Sequence, residues 1–400
     1  MDFKAKNKFM FIITIYVIMF LVSIADNLRG PFTQCIKQDF IVNDSHIGIL
    51  FLTCSFSYMI FTLIGGKLLC TISHKSLTTL GLLISLFSIF KIYLSVNFFN
   101  LLIGLFILNA GEGFLLVSFN TYIPTISSKY KGTIMNLLHI FYGLGAFTIQ
   151  MSSPFLVQHN ITWRLVHLMI GMCLVICLLS ICCIHISKSK NTIIKSSNFT
   201  VPKKPVNKYI LLLYVLALSS YIAAESCTGN WLTTYLHDGL NISYEFSAIY
   251  LSLFYIFITL GRLFGGYLAD LFGYLKLSFI SIFSGFICYM AGYIFFEKTV
   301  ILICISGVFL SIYFPTMLLT LSRVFMNTSS QIISFIMSIS SLLCMFLNYF
   351  IGKASTTFNI YIAFLFIPIT LAISAICSTL ICYEYFKLHN RNTSSIKNVA

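Results

Sequence analysis

Long apolar stretches recur along almost the whole chain, and short polar segments separate them. Twelve such stretches lie at approximately residues 9–30, 46–68, 77–95, 99–124, 132–157, 164–186, 209–235, 244–270, 275–296, 299–323, 329–352 and 359–386. An α-helix of about 20 apolar residues is long enough to cross the hydrocarbon core of a bilayer. The pattern therefore predicts an all-α integral membrane protein with twelve transmembrane helices embedded in a lipid bilayer.

The longest polar segment, residues 187–208, contains six lysines, two prolines and no acidic residue. We interpret it as a basic cytoplasmic linker. It separates an N-terminal six-helix bundle, residues 1–186, from a C-terminal six-helix bundle with a short cytoplasmic tail, residues 209–400. The predicted architecture is thus two six-helix bundles.

The distribution of basic residues predicts the orientation in the membrane. If both termini and the linker are cytoplasmic, 18 of the 25 Lys and Arg residues lie in cytoplasmic loops and ends, with Arg262 at a cytoplasmic helix end. The six external ones are Arg29, Lys37, Lys91, Arg164, Lys298 and Lys353. Such a bias is the positive-inside pattern of membrane proteins. It also explains the net charge of +14 without a nucleic-acid partner.

The composition excludes several other classes of protein. Hydrophobic residues make up 58% of the 400 residues and charged residues 9%, whereas soluble proteins carry about 25% charged residues. No polar stretch is long enough for a soluble catalytic domain, and we expect no enzyme activity. The 13 cysteines lie mostly inside apolar stretches, where cysteine is a small hydrophobe, and no spacing resembles a zinc site. We therefore expect no metal and no cofactor.

Glu112 lies near the middle of the apolar stretch from Leu101 to Pro124. An ionisable side chain at that depth costs about 2.5–3.5 kcal/mol on insertion scales. On a helix, Asn109 and Asn120 share a face with Glu112. Such a face is typical of a substrate cavity with a proton-binding group, and the alternative is a hydrogen-bonded cluster that fixes helix packing.

Polar residues also share a face of the fifth stretch: Asn136, His139 and Gln150. We interpret them as substrate-binding residues. His139 is either a proton shuttle, because its unperturbed pKa is near 6.5, or a neutral hydrogen-bonding group.

Asp26 closes the first apolar stretch. It either pairs with Arg29 at the external interface or, if the helix continues towards Cys35, lies deeper and faces the cavity. The sequence leaves both alternatives open.

The second half places an acid beside aromatic residues in the seventh stretch, at Tyr221, Glu225 and Trp231. Carboxylates accept hydrogen bonds from hydroxyl groups and aromatic rings cover C–H faces, so this set is suited to a polyol. The alternative is that these side chains only hold helices together.

The segment 261–273, read as a loop after the eighth stretch, contains Arg262, Gly266, Asp270 and Gly273. Glycines allow helices to approach closely, and Asp270 can pair with Arg262 or accept from a neighbouring helix end. We interpret the four residues as a conformational latch, and the alternative is an ordinary capped helix end.

The spacing of glycine, aspartate and glycine between Gly266 and Gly273 resembles the loop signature of the major facilitator superfamily. The finer pattern resembles the fucose–proton symporter family of sugar permeases. The motifs that carry this second resemblance are Asp26, Glu112, Asn120, Pro124, Asn136 to Ala146 and Glu225 to Tyr235.

The resemblance implies proton coupling and sugar binding by Asp26 and Glu112, with a substrate site near the membrane midplane and transport by alternating access. The leading hypothesis is therefore proton-coupled uptake of a small polar solute such as a sugar. A proton-driven exporter of metabolites or drugs is the alternative within transporters, and a membrane-embedded transferase is the alternative from another class. We expect a monomer in the plasma membrane, or in the inner membrane of a bacterium.

Overall fold

The computed structural model describes residues 3–123, 131–184, 208–295, 299–325 and 329–397. Residues 187–207 of the predicted linker lie outside these ranges. The helices before the linker are α1 (Phe3–Asn27), α2 (Thr33–Phe40), α3 (Asp44–Leu68), α4 (His74–Tyr93), α5 (Phe98–Tyr122), α6 (Lys131–Gln158) and α7 (Trp163–Cys183). The helices after it are α8 (Lys208–Thr234), α9 (Tyr244–Phe272), α10 (Tyr274–Ile294), α11 (Ile301–Val324), α12 (Ser329–Thr357), α13 (Ile360–Phe364) and α14 (Phe366–Lys397).

Twelve segments of these helices are long and apolar enough to cross a membrane. No strand occurs in the described ranges. The prediction of an all-α protein with twelve transmembrane helices is therefore confirmed.

Polar residues cap the starts of four helices in the first half. Side-chain oxygens of four residues accept hydrogen bonds from backbone N–H groups in the first turns of α3, α4, α5 and α7. These residues are Asn43, Ser73, Asn97 and Thr162. Each cap satisfies an N–H group that has no acceptor within its own helix.

The short helix α2 was not predicted by the apolar pattern. Its eight residues are too few and too polar to form an apolar window, although Thr33 and Ile36 are buried. Asp39 anchors α2 to the start of α7, because its Oδ2 accepts hydrogen bonds from Trp163 Nε1 at 2.8 Å and from Arg164 at 2.6 Å. The segment between the first two spans is therefore an ordered element.

The prediction of a loop at 261–273 is wrong, because all but the last residue of this segment continues α9. Gly261 lies against the backbone of Val308 in α11, where a Cβ atom would clash, so this glycine serves helix contact and does not break the helix. Arg262 consequently lies inside α9 and not at a helix end. The helix ends at Gly273, whose φ of 83° favours glycine.

Two helix ends also differ from the predicted spans. A π-helical turn, Tyr235–Gly239, extends α8 past its predicted end. The last predicted span is divided at Leu365 into α13 and α14. Pro368 is compatible with the first turn of α14, because N–H groups there have no acceptor within the helix.

The chain forms two compact units. Unit 1 comprises Met1–Thr200, Gly229–Ile256 and Met345–Ala363. Unit 2 comprises Val201–Thr228, Phe257–Cys344 and Phe364–Ala400. Unit 1 thus contains α1–α7 together with the second part of α8, the first part of α9, the last part of α12 and α13.

Small residues allow α4 and α5 to pack closely within unit 1. A Cβ atom at Gly111 would lie 2.8 Å from the Gly81 carbonyl oxygen and closer still to the Ser85 hydroxyl. In a membrane, helices are held together largely by such close packing, because lipid tails are as apolar as the side chains. This contact fixes the position of α5, which carries Glu112.

Candidate functional site

Glu112 is the single carboxylate of α5, and it is buried. The residue is 2% exposed, and its Oε1 atom has no hydrogen-bond partner among the described residues. A buried carboxylate without full hydrogen bonding is costly when charged, so this position favours a protonated carboxyl group or a nearby cation.

Arg29 is the cation of this region. It lies after the end of α1, is buried, and forms an ion pair with Asp26 Oδ1. Its Nε donates to the Asp26 carbonyl oxygen at 2.9 Å. The Tyr142 hydroxyl, from α6, donates to Asp26 Oδ2. The structure therefore places Asp26 in a local pair with Arg29, and its partly exposed side chain also contacts α6.

The positive charge of Arg29 also acts on Glu112. Burial by itself would lower the pKa of Arg29, but Cys54, Glu112 and Tyr142 raise it above its ordinary value, so the guanidinium stays charged. We call Asp26, Arg29, Glu112 and Tyr142 the acid–arginine cluster. It brings together two carboxylates and one cation, and all four residues lie in unit 1.

Arg29 and Tyr142 were not predicted from the sequence as site residues. Arg29 was predicted only as an interface partner of Asp26, because it lies at the end of the first apolar stretch. A signal for Tyr142 was available, since it lies one helical turn after His139 on α6.

The amides predicted to line a cavity have different surroundings. Asn109 is buried and donates to the Leu105 carbonyl oxygen at 2.9 Å, within its own helix. Gln150 is fully buried and donates to the Asn27 carbonyl oxygen at 3.1 Å, while its Oε1 has no partner in the described residues. Gln150 therefore links α6 to the end of α1, beside the acid–arginine cluster.

The remaining predicted residues of the first half are Asn120, His139 and Asn136. Asn120 Oδ1 is buried and has no hydrogen-bond partner among the residues described. His139 lies on α6 and is half-buried. The side chain of Asn136 lies outside what the structure describes.

His167 on α7 is a further buried polar residue that the sequence analysis missed. Its Nδ1 lies 2.8 Å from the Trp163 carbonyl oxygen, which can only accept, so Nδ1 carries the proton. Its Nε2 atom is buried and has no partner in the described part of the chain. The Nε2 atom of His167 is thus a hydrogen-bond acceptor without a partner among the described residues, and the charge of Arg29 acts on this side chain.

In unit 2, the predicted acid Glu225 binds two partners. Tyr221 donates from its hydroxyl to Glu225 Oε2 at 2.5 Å, and Arg262 donates to Oε1 at 2.9 Å. The guanidinium of Arg262 is therefore engaged with α8. Both Glu225 and Arg262 keep some exposed side-chain surface, 21% and 23%.

Trp231, predicted to contact substrate, is fully buried in unit 1. Its Nε1–H donates to Asn348 Oδ1 at 2.9 Å, and its ring meets Phe51 edge-on with 5.6 Å between centroids. In this conformation Trp231 is enclosed by protein.

Two residues of the predicted latch, Gly266 and Asp270, are described by their backbone alone. Their backbone lies in α9. Gly273 forms the turn between α9 and α10, with its N–H donating to the Ala269 carbonyl oxygen at 3.0 Å.

The sequence model of the Major Facilitator Superfamily matches residues 15–326. The chain belongs to the Major Facilitator Superfamily. This confirms the resemblance derived from the sequence and shows a membrane transporter fold. No curated protein sequence matches the chain significantly.

Solved structures share this fold. A bacterial homologue of the human lysosomal transporter Spinster, in an inward-facing and occupied conformation, has 14% identity and a TM-score of 0.74, with 94% of this chain and 97% of that chain covered. The D-xylose–proton symporter has 10% identity and a TM-score of 0.76, covering 93% and 97%. The fucose–proton symporter FucP of E. coli has 18% identity and a TM-score of 0.62, covering 92% and 98%. These similarities show the fold.

Proposed function

We propose that this protein takes up a small polar solute such as a sugar together with protons, by alternating access. Membership in the Major Facilitator Superfamily supports transport. The xylose and fucose transporters of similar fold are proton symporters. The observation that carries the proposal is the buried carboxylate of Glu112, with one oxygen that has no partner among the described residues, in the electrostatic field of the buried cation Arg29.

The acid–arginine cluster supplies a physical basis for coupling. One cation cannot fully compensate the buried Glu112 and the partly exposed Asp26, so a proton on Glu112 leaves Arg29 free to pair with Asp26, as observed. Loss of that proton draws Arg29 towards Glu112. The Asp26 carboxylate then loses its cation, keeps the hydrogen bond from the Tyr142 hydroxyl, and changes its capacity to bind a solute.

Hydrogen-bonding capacity favours a polyol over an apolar cation. The Glu225 carboxylate is held by a phenol and a guanidinium, both of which donate, and can accept hydroxyl groups in their place. Gln150 and Asn120 keep amide oxygens without partners among the described residues. These groups favour a polar solute over the apolar substrates of a drug exporter.

The proposal includes a membrane orientation and a conformational latch. The basic bias supports cytoplasmic termini, in the plasma membrane or a bacterial inner membrane, with a monomer as the transporting form. Arg262, Gly266, Asp270 and Gly273 remain the proposed latch, at the end of α9.

The test is Glu112→Gln in proteoliposomes, with a substrate found by a thermal-shift screen of sugars and other polar metabolites. Glutamine mimics the protonated acid permanently, so uptake driven by a pH gradient is lost while counterflow of labelled substrate remains. Glu245→Gln is the matched control, because Glu245 is exposed in the first turn of α9. Normal concentrative uptake by Glu112→Gln would overturn proton coupling through this residue.

A further inference from the structure

Lys37 of α2 joins two carboxylates from different parts of the chain. Its Nζ lies 2.9 Å from Asp44 Oδ1, at the start of α3, and 2.9 Å from Asp238 Oδ2, in the π-helical turn that ends α8. Burial by itself would lower the pKa of Lys37, but Asp44 and Asp238 raise it, so its ammonium is charged at neutral pH.

Four further contacts extend this arrangement. Asp238 also accepts from Gln34 Nε2 at 2.7 Å and lies 2.7 Å from His237 Nδ1. The Ser355 hydroxyl, near the end of α12, donates to Asp44 Oδ2. The Thr233 hydroxyl donates to the Gly30 carbonyl oxygen at 2.9 Å. We call Gln34, Lys37, Asp44, Asp238 and Ser355 the Lys37 network.

Backbones approach each other closely beside this network. A Cβ atom at Gly352 would lie 2.5 Å from the Asp44 carbonyl oxygen and 2.9 Å from the Gly48 Cα. A Cβ atom at Gly48 would lie 3.0 Å from the Asn348 carbonyl oxygen. Glycine at both positions is what allows α3 and α12 to touch here.

All these contacts lie within unit 1, at one end of the transmembrane helices. α1 begins at the chain terminus and runs to Asn27, so the segment 28–43 and the start of α3 lie at the end opposite the amino terminus. The last parts of α8 and α12 come from the second half of the sequence. The Lys37 network therefore ties the first and second halves of the sequence together at that end.

We propose that the Lys37 network is a lock that holds this end closed during the transport cycle and must break when the end opens. The inference rests on the proposed alternating access, in which the two ends open in turn. The lock depends on Lys37, because its ammonium pairs with both Asp44 and Asp238 and compensates their negative charges. Without it, two carboxylates face each other and repel.

The experiment is hydrogen–deuterium exchange of the full chain in nanodiscs, which needs no substrate. Hydrogen bonds to charged groups contribute about 1.5–3 kcal/mol, so Lys37→Gln raises amide exchange about tenfold or more. The rise occurs together in residues 33–40, 229–240 and 348–357. Exchange in residues 74–82, at the opposite end, stays at the wild-type rate or falls.

Arg164→Gln is the matched control, because Arg164 pairs with Asp39 at the same end but its contacts, to Asp39 and to the Ser95 carbonyl oxygen, all lie in the first half of the sequence. It raises exchange in residues 33–40 alone. Lys37→Arg retains the charge and stays near wild type. The double variant Lys37→Gln/Asp238→Asn exchanges no faster than Lys37→Gln, since both changes break the same lock.

Faster exchange confined to residues 33–40 in Lys37→Gln, or no change in any segment, would overturn the lock. If Lys37→Gln does not fold, Ser355→Ala removes one contact of the network and gives a smaller rise in the same three segments. The result is independent of Glu112. If the exchange experiment contradicts the lock, the uptake test of Glu112 still holds. If the uptake test contradicts proton coupling, the exchange result still holds.

Discussion

Arg29 is the residue whose structural role exceeds what its position in the sequence indicates. It follows an apolar stretch in the manner of an interface residue, yet it is buried and contacts Asp26 while its charge acts on Glu112. Removing it leaves two buried or partly buried carboxylates without a cation, and such groups become protonated. The proposed coupling role of each acid therefore depends on Arg29.

For Arg29→Gln we expect pH-gradient-driven uptake to fall at least about tenfold, while counterflow continues, because the acids stay protonated through the cycle. Arg29→Lys restores the charge but not the planar donor pair, so uptake is intermediate. Arg164→Gln, which removes a cation outside the cluster, is the control. Equal loss of uptake and counterflow would instead indicate a structural role.

The sequence predicted Glu112 and Asp26 because an acid in an apolar stretch is conspicuous in one dimension. It offered Arg29 as a partner of Asp26, but it could not predict Arg29 near Glu112 or Tyr142 at Asp26, because these residues lie more than 80 positions apart. Trp231 has a partner that the sequence could not supply. Its aromatic character indicated a binding residue, while the structure shows its indole donating to Asn348 inside the protein.

At the scale of elements, close packing through small residues decides helix positions. The apolar pattern predicts the twelve spanning helices, but not which faces meet, because nearly every face is apolar. It also missed α2, since a short polar helix leaves no apolar window. The glycines of residues 261–273 were misread as a loop, although the apolar stretch 244–270 already predicted most of α9. Gly111 is an example, because the apolar pattern does not indicate that this residue lies against Gly81 and Ser85 of α4.

Gly111→Val should lower the free energy of unfolding by roughly 1–3 kcal/mol, because a side chain there meets the Gly81 carbonyl oxygen and the Ser85 hydroxyl. The measurement is thermal unfolding in detergent. Gly66→Val is the control, since a Cβ atom at Gly66 meets nothing within 4 Å. Equal destabilisation by both variants would show that the loss comes from the added side chain as such.

At the scale of the whole molecule, the charge distribution predicts which side of the membrane each end faces. The six expected external cations include Lys37, the centre of the proposed lock, and Arg164, which holds α2 to α7. The lock therefore faces the outside in the proposed orientation.

Reporter fusions after Lys195 and Asn392 should both report the cytoplasmic side, because the basic residues around the linker and in the tail are retained there. A fusion after Ile41 should report the external side. Opposite locations for Lys195 and Asn392 would contradict the twelve-span orientation.

The absence of a Cβ atom in Gly48 and Gly352 has a practical consequence. Where two backbones are in contact, an added methyl group forces them apart. Gly352→Ala would disfavour the packed arrangement without adding a charge or removing a hydrogen bond. In the proposed cycle, such a variant favours the form that is open to the outside. That form could then be used to select inhibitors or antibody fragments that bind from the external side.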